Sequence, residues 1–306
     1  MINGFINIDK PLNMTSNDVV FKVKKLLSKI FGKVKIGHTG TLDPLASGVL
    51  PIALGEATKT VAFQMENKKT YEFVVKFGAE TSTDDSEGEI IKISKNIPDE
   101  NKIKEILPKF IGKIEQVPPK YSAIKINGKR AYALAREGKE FEIKSRENFV
   151  HNFEFLEQLN ETEYKFKVTA NKGFYVRSFG RDIAKALDSA GYISYLRRIA
   201  NGPFNEDNSI SLDKLEKILQ NSEQSLDVRK FDSDILLPVS FGLNDILALD
   251  MTEEQNQKLR NGQWIKSVGF ENLKSGSLYE VISNSKLSAV IKLEDGFFKT
   301  VRVFNL

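Results

Sequence analysis

The sequence predicts an α+β protein in two domains, and three observations carry that reading. A chain of 306 residues is long for one hydrophobic core. Through residues 1–240, alternating apolar stretches of the kind found in half-buried strands are interleaved with apolar stripes at helical spacing. Over residues 245–306 the pattern changes to short alternating strands with one short helix. A domain boundary is therefore placed between Pro238 and Asp250.

Residues 5–9 alternate and read as a strand. The turn after them leads to Thr15, which stands three residues before Asp18, the spacing of a capping box with Asp in place of Glu or Gln. Val19, Val20, Val23, Leu26, Leu27 and Ile30 then fall on one helical stripe. Residues 36–51 hold three glycines and two prolines, a composition that suits neither a long helix nor a regular strand. Residues 58–65 give a helical turn or two, and 70–77 a strand. Residues 80–89, acidic and polar, read as a surface turn. Residues 99–110 read as a helix burying Ile103, Ile106 and Leu107. Residues 120–126 read as a strand and 128–138 as a helical loop. Residues 140–155 and 163–170 alternate as strands. Residues 172–177 continue extended, which puts Tyr175 and Arg177 on one face and Phe174 and Val176 on the core face. A helix over 178–190 turns Phe179, Ile183, Ala186 and Leu187 inward, followed by a strand at 192–203 and a helix at 212–219. In the C-terminal part the helix covers 252–260, and the strands cover 276–281, 287–293 and 297–304.

Composition excludes several kinds of chemistry. With no cysteine the chain has no disulfide, no thiolate zinc site and no Cys nucleophile. His38 and His151 are its only histidines, too few for a His-rich metal site; counting leaves a carboxylate-only magnesium site open. No apolar run approaches the twenty residues of a spanning helix. The first ten residues lack the basic head and apolar stretch of a signal peptide, so a cytoplasmic protein is expected. The net charge of +4 is mild, but its distribution is uneven. Six lysines and no acid lie between Asp18 and Asp43, and a second basic run holds Lys120, Lys125, Lys129, Arg130, Arg136 and Lys139. Such clusters suit phosphate contact; the bland alternative is a set of solvated helix faces.

The candidate site centres on Gly37-His38-Thr39-Gly40-Thr41-Leu42-Asp43-Pro44-Leu45-Ala46-Ser47-Gly48-Val49-Leu50-Pro51. Pro44 keeps Asp43 out of the helical region, so its carboxylate sits on an extended or turn backbone. By spacing alone an Asp before Pro is more often a turn residue than a catalyst. The whole run, with Leu54-Gly55-Glu56-Ala57-Thr58-Lys59 after it, closely resembles the signature segment of the bacterial TruB-type tRNA pseudouridine synthases. Three other segments are similar to that family: Asp9-Lys10-Pro11 through Thr15-Ser16, Tyr121-Ser122-Ala123-Ile124-Lys125 with the later Ala135-Arg136-Glu137-Gly138, and Gly173-Phe174-Tyr175-Val176-Arg177. Asn13 departs from the glycine of the family pattern, but Asn is the next best residue for a left-handed backbone.

The resemblance implies a pseudouridine-synthase catalytic domain over 1–240 with a mixed, largely antiparallel sheet, in which residues 120–140 or so form a mobile insertion that grips RNA. For 245–306 it implies a small PUA-like, RNA-binding β domain, on position and pattern alone. The implied reaction converts the uridine at tRNA position 55, in the T loop, to pseudouridine. The bond from ribose to base nitrogen breaks, the base turns, and ribose rejoins a base carbon, with no cofactor. Asp43 is then the catalytic carboxylate, which could attack the sugar, attack the base or deprotonate the sugar. A carboxylate that must stay ionised beside a buried base needs a cation, because burial alone raises its pKa. The family pattern makes Arg177 that partner; at a helix start, where the dipole disfavours a cation, a bidentate carboxylate offsets the cost. The resemblance also places Tyr175 in the pocket, Tyr71 stacked on the target base, His38 against the flipped nucleotide and Leu196 in the pocket wall. Stacking of this kind is worth about 1–3 kcal/mol per base, which helps to meet the cost of flipping the uridine out. Lys125, Lys129, Arg130 and Arg136 are candidates for RNA-backbone contact, with Ala131, Tyr132 and Ala135 beside them in the grip. Lys10 could support the wall of the site without a catalytic role.

The expected partner is the T stem-loop of tRNA, with no obligatory protein partner, no guide RNA and no membrane. Three rivals stand beside this reading: an RNA-binding or RNA-folding module without catalysis, a guide-RNA-dependent synthase, and a base-releasing glycosidase using the same Asp.

Overall fold

The structure, a computed structural model, describes residues 2–221 and 235–306. β1 (Gly4–Lys10) leads through a turn to α1 (Ser16–Phe31), and β2 (Ile36–His38) and β3 (Ala46–Leu54) flank the glycine-rich segment. α2 (Val61–Glu66) precedes β4 (Lys69–Phe77), and β5 (Ala79–Thr81) pairs with β6 (Ile90–Ile93). After α3 (Glu100–Ile106) come β7 (Gly112–Gln116), the short β8 (Lys125–Ile126) and β9 (Lys129–Arg130), and α4 (Ala131–Arg136). β10 (Arg146–Gln158) and β11 (Glu163–Ala170) lead to α5 (Val176–Ala186), β12 (Gly191–Asn201), β13 (Phe204–Asn205), β14 (Ile210–Ser211) and α6 (Leu212–Asn221).

The large sheet runs in the order β14-β1-β3-β12-β4-β11-β10-β7, with β13 added to β12 and β2 to β3. It is mixed and largely antiparallel: only β1 with β14 and β3 with β12 run parallel. The pairing puts β3, which begins just after Asp43, directly beside β12, which carries Leu196. α5 packs on the sheet through Phe179 and Ile183, both buried. Phe179 joins Phe73, Phe153 and Phe166 in a cluster whose ring centroids lie 4.8–6.4 Å apart. α1 begins as the spacing requires: the Thr15–Asp18 capping box forms in both directions. Asn13 takes the left-handed backbone, with φ 62°.

The sequence pattern misreads several elements. Residues 46–54 form a strand in which every residue is buried, although glycine and proline there argue against one. Gly48 explains it. At φ +101° a Cβ on this residue would sit 2.2 Å from the Arg198 carbonyl oxygen, so glycine is what lets β12 close on β3. Residues 140–145 are not strand, because the partner β7 ends at Gln116 opposite Arg146. Residues 120–124 are irregular, since the carbonyls of Ser122 and Ile124 accept instead from the backbone of Tyr132 and Ala131. Val176 and Arg177 are not extended; they open α5, whose Tyr175 carbonyl accepts the 3.0 Å bond from Phe179 N. The two-residue alternation of Tyr175 and Arg177 therefore does not hold. That helix stops at Ala186, with Asp188 at φ 52° just beyond it. Within 80–89, read as a surface turn, Asp84 and Asp85 are buried.

The C-terminal residues build a second sheet from β15 (Leu247–Asp250), β16 (Ile265–Lys266), β17 (Leu278–Ser283), β18 (Lys286–Glu294) and β19 (Phe297–Val303), ordered β15-β17-β18-β19-β16. The helix Glu253–Arg260 packs on it through Leu259. Leu287, Val290 and Phe304 of this part share one buried cluster with Phe5, Val49, Ala53, Phe204, Val239 and Leu243. Lys59 Nζ donates to the Val303 carbonyl at 2.9 Å, and Asn305 N to Glu56 Oε2 at 2.7 Å. Deleting residues 250–306 is therefore expected to destabilise what remains. Three large apolar side chains are removed from a shared core at about 1.5–3 kcal/mol each. Urea unfolding of the truncated chain checks this; a midpoint equal to that of the full chain would show that the shared cluster contributes nothing.

Candidate active site

The segment between β2 and β3 is fixed at almost every residue before Asp43 is considered. Asn201 Nδ2 donates to Thr39 Oγ1 at 3.0 Å. Arg198, fully buried, donates to the Gly40 carbonyl at 3.0 Å and the Val49 carbonyl at 2.8 Å. Ser16 Oγ both donates to the Leu42 carbonyl and accepts from Leu42 N, at 3.0 and 2.8 Å. The Pro44 carbonyl accepts from Asn13 N at 2.9 Å and Lys10 Nζ at 3.4 Å. Lys10 also donates to the Met14 carbonyl at 2.6 Å. Burial lowers the Lys10 pKa to about 8, against the opposing pull of Asp43. It thus ties the turn before α1 to the segment that carries Asp43. A backbone pinned this way holds the Asp43 side chain on a rigid support, which is what a reacting group needs.

Asp43 meets Arg177: Asp43 Oδ2 lies 2.9 Å from Arg177 Nη2. The carboxylate is 42% exposed and the guanidinium 7%, so the pair has an open side and a buried side. Arg177 is a full hub. Its Nη1 lies 3.4 Å from Asp85 Oδ2 and donates to the Thr83 carbonyl at 3.2 Å, while Nη2 also donates to the Tyr121 carbonyl at 2.9 Å. Asp85 is itself held by Thr83 Oγ1 and by Glu87 N, the latter at 3.0 Å. Two carboxylates on one buried guanidinium fix its plane, and with it the direction from which Asp43 is gripped.

Asp43, Asp85, Arg177 and Leu196 line one cleft, together with Leu45 and Ala46. Tyr175 caps α5 two residues before Arg177 of the cleft lining, with its backbone clasped by Gln116, whose Oε1 accepts from Tyr175 N at 3.2 Å and whose Nε2 donates to the Tyr175 carbonyl at 3.3 Å. Burial first, then Asp43, raises its phenol pKa, so the hydroxyl stays protonated at neutral pH. Tyr71 on β4 is half-buried, in register with Arg198 of β12. His38 ends β2, and its Nδ1 accepts from Gly40 N at 3.3 Å. Burial, with Arg198 nearby, lowers its pKa, which favours the neutral ring; a neutral ring whose Nδ1 accepts carries its proton on Nε2. Tyr71, Tyr175 and His38 are not part of the cleft lining; Tyr175 stands near enough to Asp43 to feel its charge, and Tyr71 and His38 lie beside the buried Arg198.

Residues 28–176 match the family model described as TruB family pseudouridylate synthase (N terminal domain). Along its whole length the chain is similar to a tRNA pseudouridine synthase B of Ehrlichia ruminantium (strain Gardel), 43% identical over 306 residues and covering 99% of each protein. It is 40% identical over 311 residues to a tRNA pseudouridine synthase B of Rhodospirillum rubrum, covering 100% of this chain and 97% of that one. The chain belongs to the TruB family. Among solved structures, a chain of a Cbf5-Nop10-Gar1 complex superposes with a TM-score of 0.76 at 26% identity, over 99% of this chain and 84% of that one.

In this TruB-family chain the four basic candidates for RNA-backbone contact are outside the cleft lining, on β8, β9 and α4, though Arg136 is near enough to Glu87 to share it electrostatically with Asp43 and Arg177. Lys125, Lys129, Arg130 and Arg136 are all exposed. Arg130 bonds the Ala123 carbonyl, and Arg136 stands over the Tyr132 ring, 5.8 Å from its centroid. Sequence reasoning missed Asp85, Asp84 and Arg198. The two acids sit in a polar stretch that resembles any solvated turn, and no spacing links residue 85 to residue 177. Arg198 follows Leu196 and Arg197 on a strand and reads as surface; only the sheet order shows that it is enclosed. Among the described residues, no group of three or more His, Asp and Glu side chains could hold a metal ion, and no helix is long and apolar enough to cross a membrane.

Proposed function

We propose that this chain isomerises the uridine at position 55, in the T loop of tRNA, to pseudouridine, with Asp43 as the reacting carboxylate. The 2.9 Å pair of Asp43 with Arg177 in the lining of the cleft is the observation that carries this reading. Arg177 keeps the carboxylate charged and aimed while its exposed oxygen remains free to meet ribose or base. Leu196 offers the base an apolar wall, and Tyr71 a π face. Tyr175, as a protonated phenol, can donate a hydrogen bond to a base carbonyl or to the detached base. Neutral His38 can donate from Nε2 to the nucleotide that leaves the stack. A module that only bound RNA would gain nothing from a buried arginine shared by two carboxylates.

In this reading residues 1–240 form the catalytic unit, with 120–140 as its RNA grip, and 245–306 form a PUA-like RNA-binding unit. The protein acts in the cytoplasm on tRNA alone, with no guide RNA and no partner protein. The full-length similarity to tRNA pseudouridine synthases B supports this. The test is a product assay: purified protein alone, an unmodified tRNA transcript, and chemical mapping of pseudouridine. One modified site in the T loop is expected. Free uracil would convert the reading to a glycosidase, and absence of product until a guide RNA is supplied would favour the guided rival.

Binding should also weaken steeply with salt, through release of phosphate counterions. If Lys125, Lys129, Arg130 and Arg136 each neutralise one phosphate, affinity for a T-arm hairpin falls roughly 50- to 150-fold between ~50 and ~200 mM salt, the range set by single-strand and duplex slopes. A filter-binding series reads the slope. A flat series would remove these residues as backbone contacts.

A further inference from the structure

We propose that the buried ion pair between Asp84 and Arg181 is a positioning device for the reaction: it locks the 83–85 turn and the root of the RNA-gripping insertion to one face of α5, and so sets how Arg177 meets Asp43.

Three consecutive residues of the turn all engage that helix. The Thr83 carbonyl and the Asp85 carboxylate meet Arg177 Nη1, and Asp84 Oδ2 lies 2.7 Å from Arg181 Nη1. Arg177 and Arg181 are four residues apart, so their side chains rise from one helix face. Adjacent carboxylates on an extended backbone would point to opposite sides. Here Asp84 takes φ 60°, a left-handed conformation uncommon outside glycine, though less so for Asp and Asn. That turn lets both acids reach neighbouring arginines. The turn is tied to the sheet as well, since Ile193 N donates to the Asp84 carbonyl at 3.1 Å.

Arg181 has a second arm. Its Nη2 donates to the Val117 carbonyl at 2.9 Å, which also accepts from Ser178 Oγ at 2.8 Å. Four residues on, the Tyr121 carbonyl accepts from Arg177 Nη2 at 2.9 Å. Both ends of the 117–121 segment, where the insertion begins, are therefore bonded to α5. The nitrogen that holds Tyr121 is the same one that lies 2.9 Å from Asp43 Oδ2. A shift at the root of the insertion is thus felt at the Asp43 pair through Arg177 alone, and Arg181, with Ser178, holds the far end of that root.

Stability alone is a poor reason for this pair. The side chains of Arg181 and Asp84 are 13% and 9% exposed, and a buried ion pair rarely stabilises more than well-packed apolar residues would. Burial pushes the Asp84 pKa up to about 6 in spite of Arg181, so the fold holds a charge there at some cost. A guanidinium instead supplies two directed bonds at a fixed angle, which suits a part that sets geometry.

The proposal rests on Asp43 being the reacting carboxylate. Its test compares Asp84→Asn, Arg181→Met and the double variant with wild type, by single-turnover pseudouridine formation and by Kd for the same T-arm hairpin. Each single variant is expected to lose roughly 10- to 100-fold in rate constant, the effect of a displacement near 1 Å in a positioned reaction. The Kd should stay within about threefold, and the double variant should be no slower than the slower single, because both remove one device. Wild-type rates in variants whose melting temperature has dropped would overturn the proposal and leave a structural pair. So would a loss confined to Kd. Should either single variant fail to fold, Arg181→Lys decides: it keeps a charge for Asp84 but has no second arm for Val117. An intermediate rate at unchanged Kd supports the device, and a wild-type rate refutes it. If wild type itself forms no pseudouridine, it is the functional reading that falls.

Discussion

Asp43→Asn is expected to abolish pseudouridine formation while leaving the fold and RNA binding nearly intact. The loop does not depend on the Asp43 side chain: Ser16, Lys10, Arg198 and Asn201 hold the residues on either side of it. Asn keeps the size and one acceptor oxygen but has no charge with which to attack or to take a proton. All three routes open to Asp43 use an ionised carboxylate, so the outcome does not depend on which is followed. Removing one member of a buried ion pair ordinarily costs about 3–5 kcal/mol, because a charge is left alone. Here Arg177 retains Asp85 at 3.4 Å and two backbone carbonyls, and Asp43 is 42% exposed. A smaller loss of stability is therefore expected. The rate should fall at least ~10⁴-fold, as for loss of an essential nucleophile or base. Single-turnover assays beside a binding titration on the same preparation check this. A rate within about tenfold of wild type would remove Asp43 from the chemistry. Loss of binding along with activity would make it a structural turn residue.

What the sequence made legible here follows from how locally each feature is encoded. β11 has one wetter face and shows a two-residue alternation, so it is readable to its ends, whereas β4, buried at Phe73, Val74 and Val75 in succession, reads as a strand from its run of β-branched and aromatic residues. α1 is readable because its cap, its stripe and its left-handed Asn13 all lie within twenty residues. β3 is not, because its strand character comes from partners elsewhere: β1 pairs along one edge, β12 and β2 pair with its two ends on the other, and Gly48 serves β12 rather than its own strand. The same divide runs through the site. Asp43 and Arg177 stand out because each lies in a long run of residues like that of a known family. Asp85 and Asp84 lie in a short polar turn whose importance arises only when α5 is brought against it. The acids at 84 and 85 are legible as charges, but their burial is a property of the tertiary fold. The C-terminal sheet was legible as a pattern, whereas its shared core with Phe5 and Phe204 depends on which face each strand turns to the other sheet.

Arg177→Lys is the second substitution with a large expected effect, because it keeps the charge and removes the geometry. Arg177 satisfies four acceptors at once: Asp43 Oδ2, Asp85 Oδ2 and the carbonyls of Thr83 and Tyr121. They are spread over two nitrogens of one plane, which a guanidinium reaches with parallel N–H groups. An ammonium has three donors around a single atom, on a shorter reach, and cannot span two carboxylates and two carbonyls together. The lysine variant must leave at least one buried acceptor without a donor, and Asp85, only 8% exposed against 42% for Asp43, is the acid less able to turn to water. A site with one misplaced or missing donor typically loses about 10²- to 10³-fold in rate. That loss should appear in the single-turnover rate constant and not in Kd, since the guanidinium is enclosed and the RNA contacts proposed above lie elsewhere. Arg177→Met separates charge from geometry: without any cation beside it, Asp43 should react more slowly still, and the chain should be the least stable of the three. If the lysine variant matched wild type, a positive charge near Asp43 would be all that the reaction asks. The shared arginine, with both carboxylates on its plane, would then be a feature of the fold rather than of the chemistry.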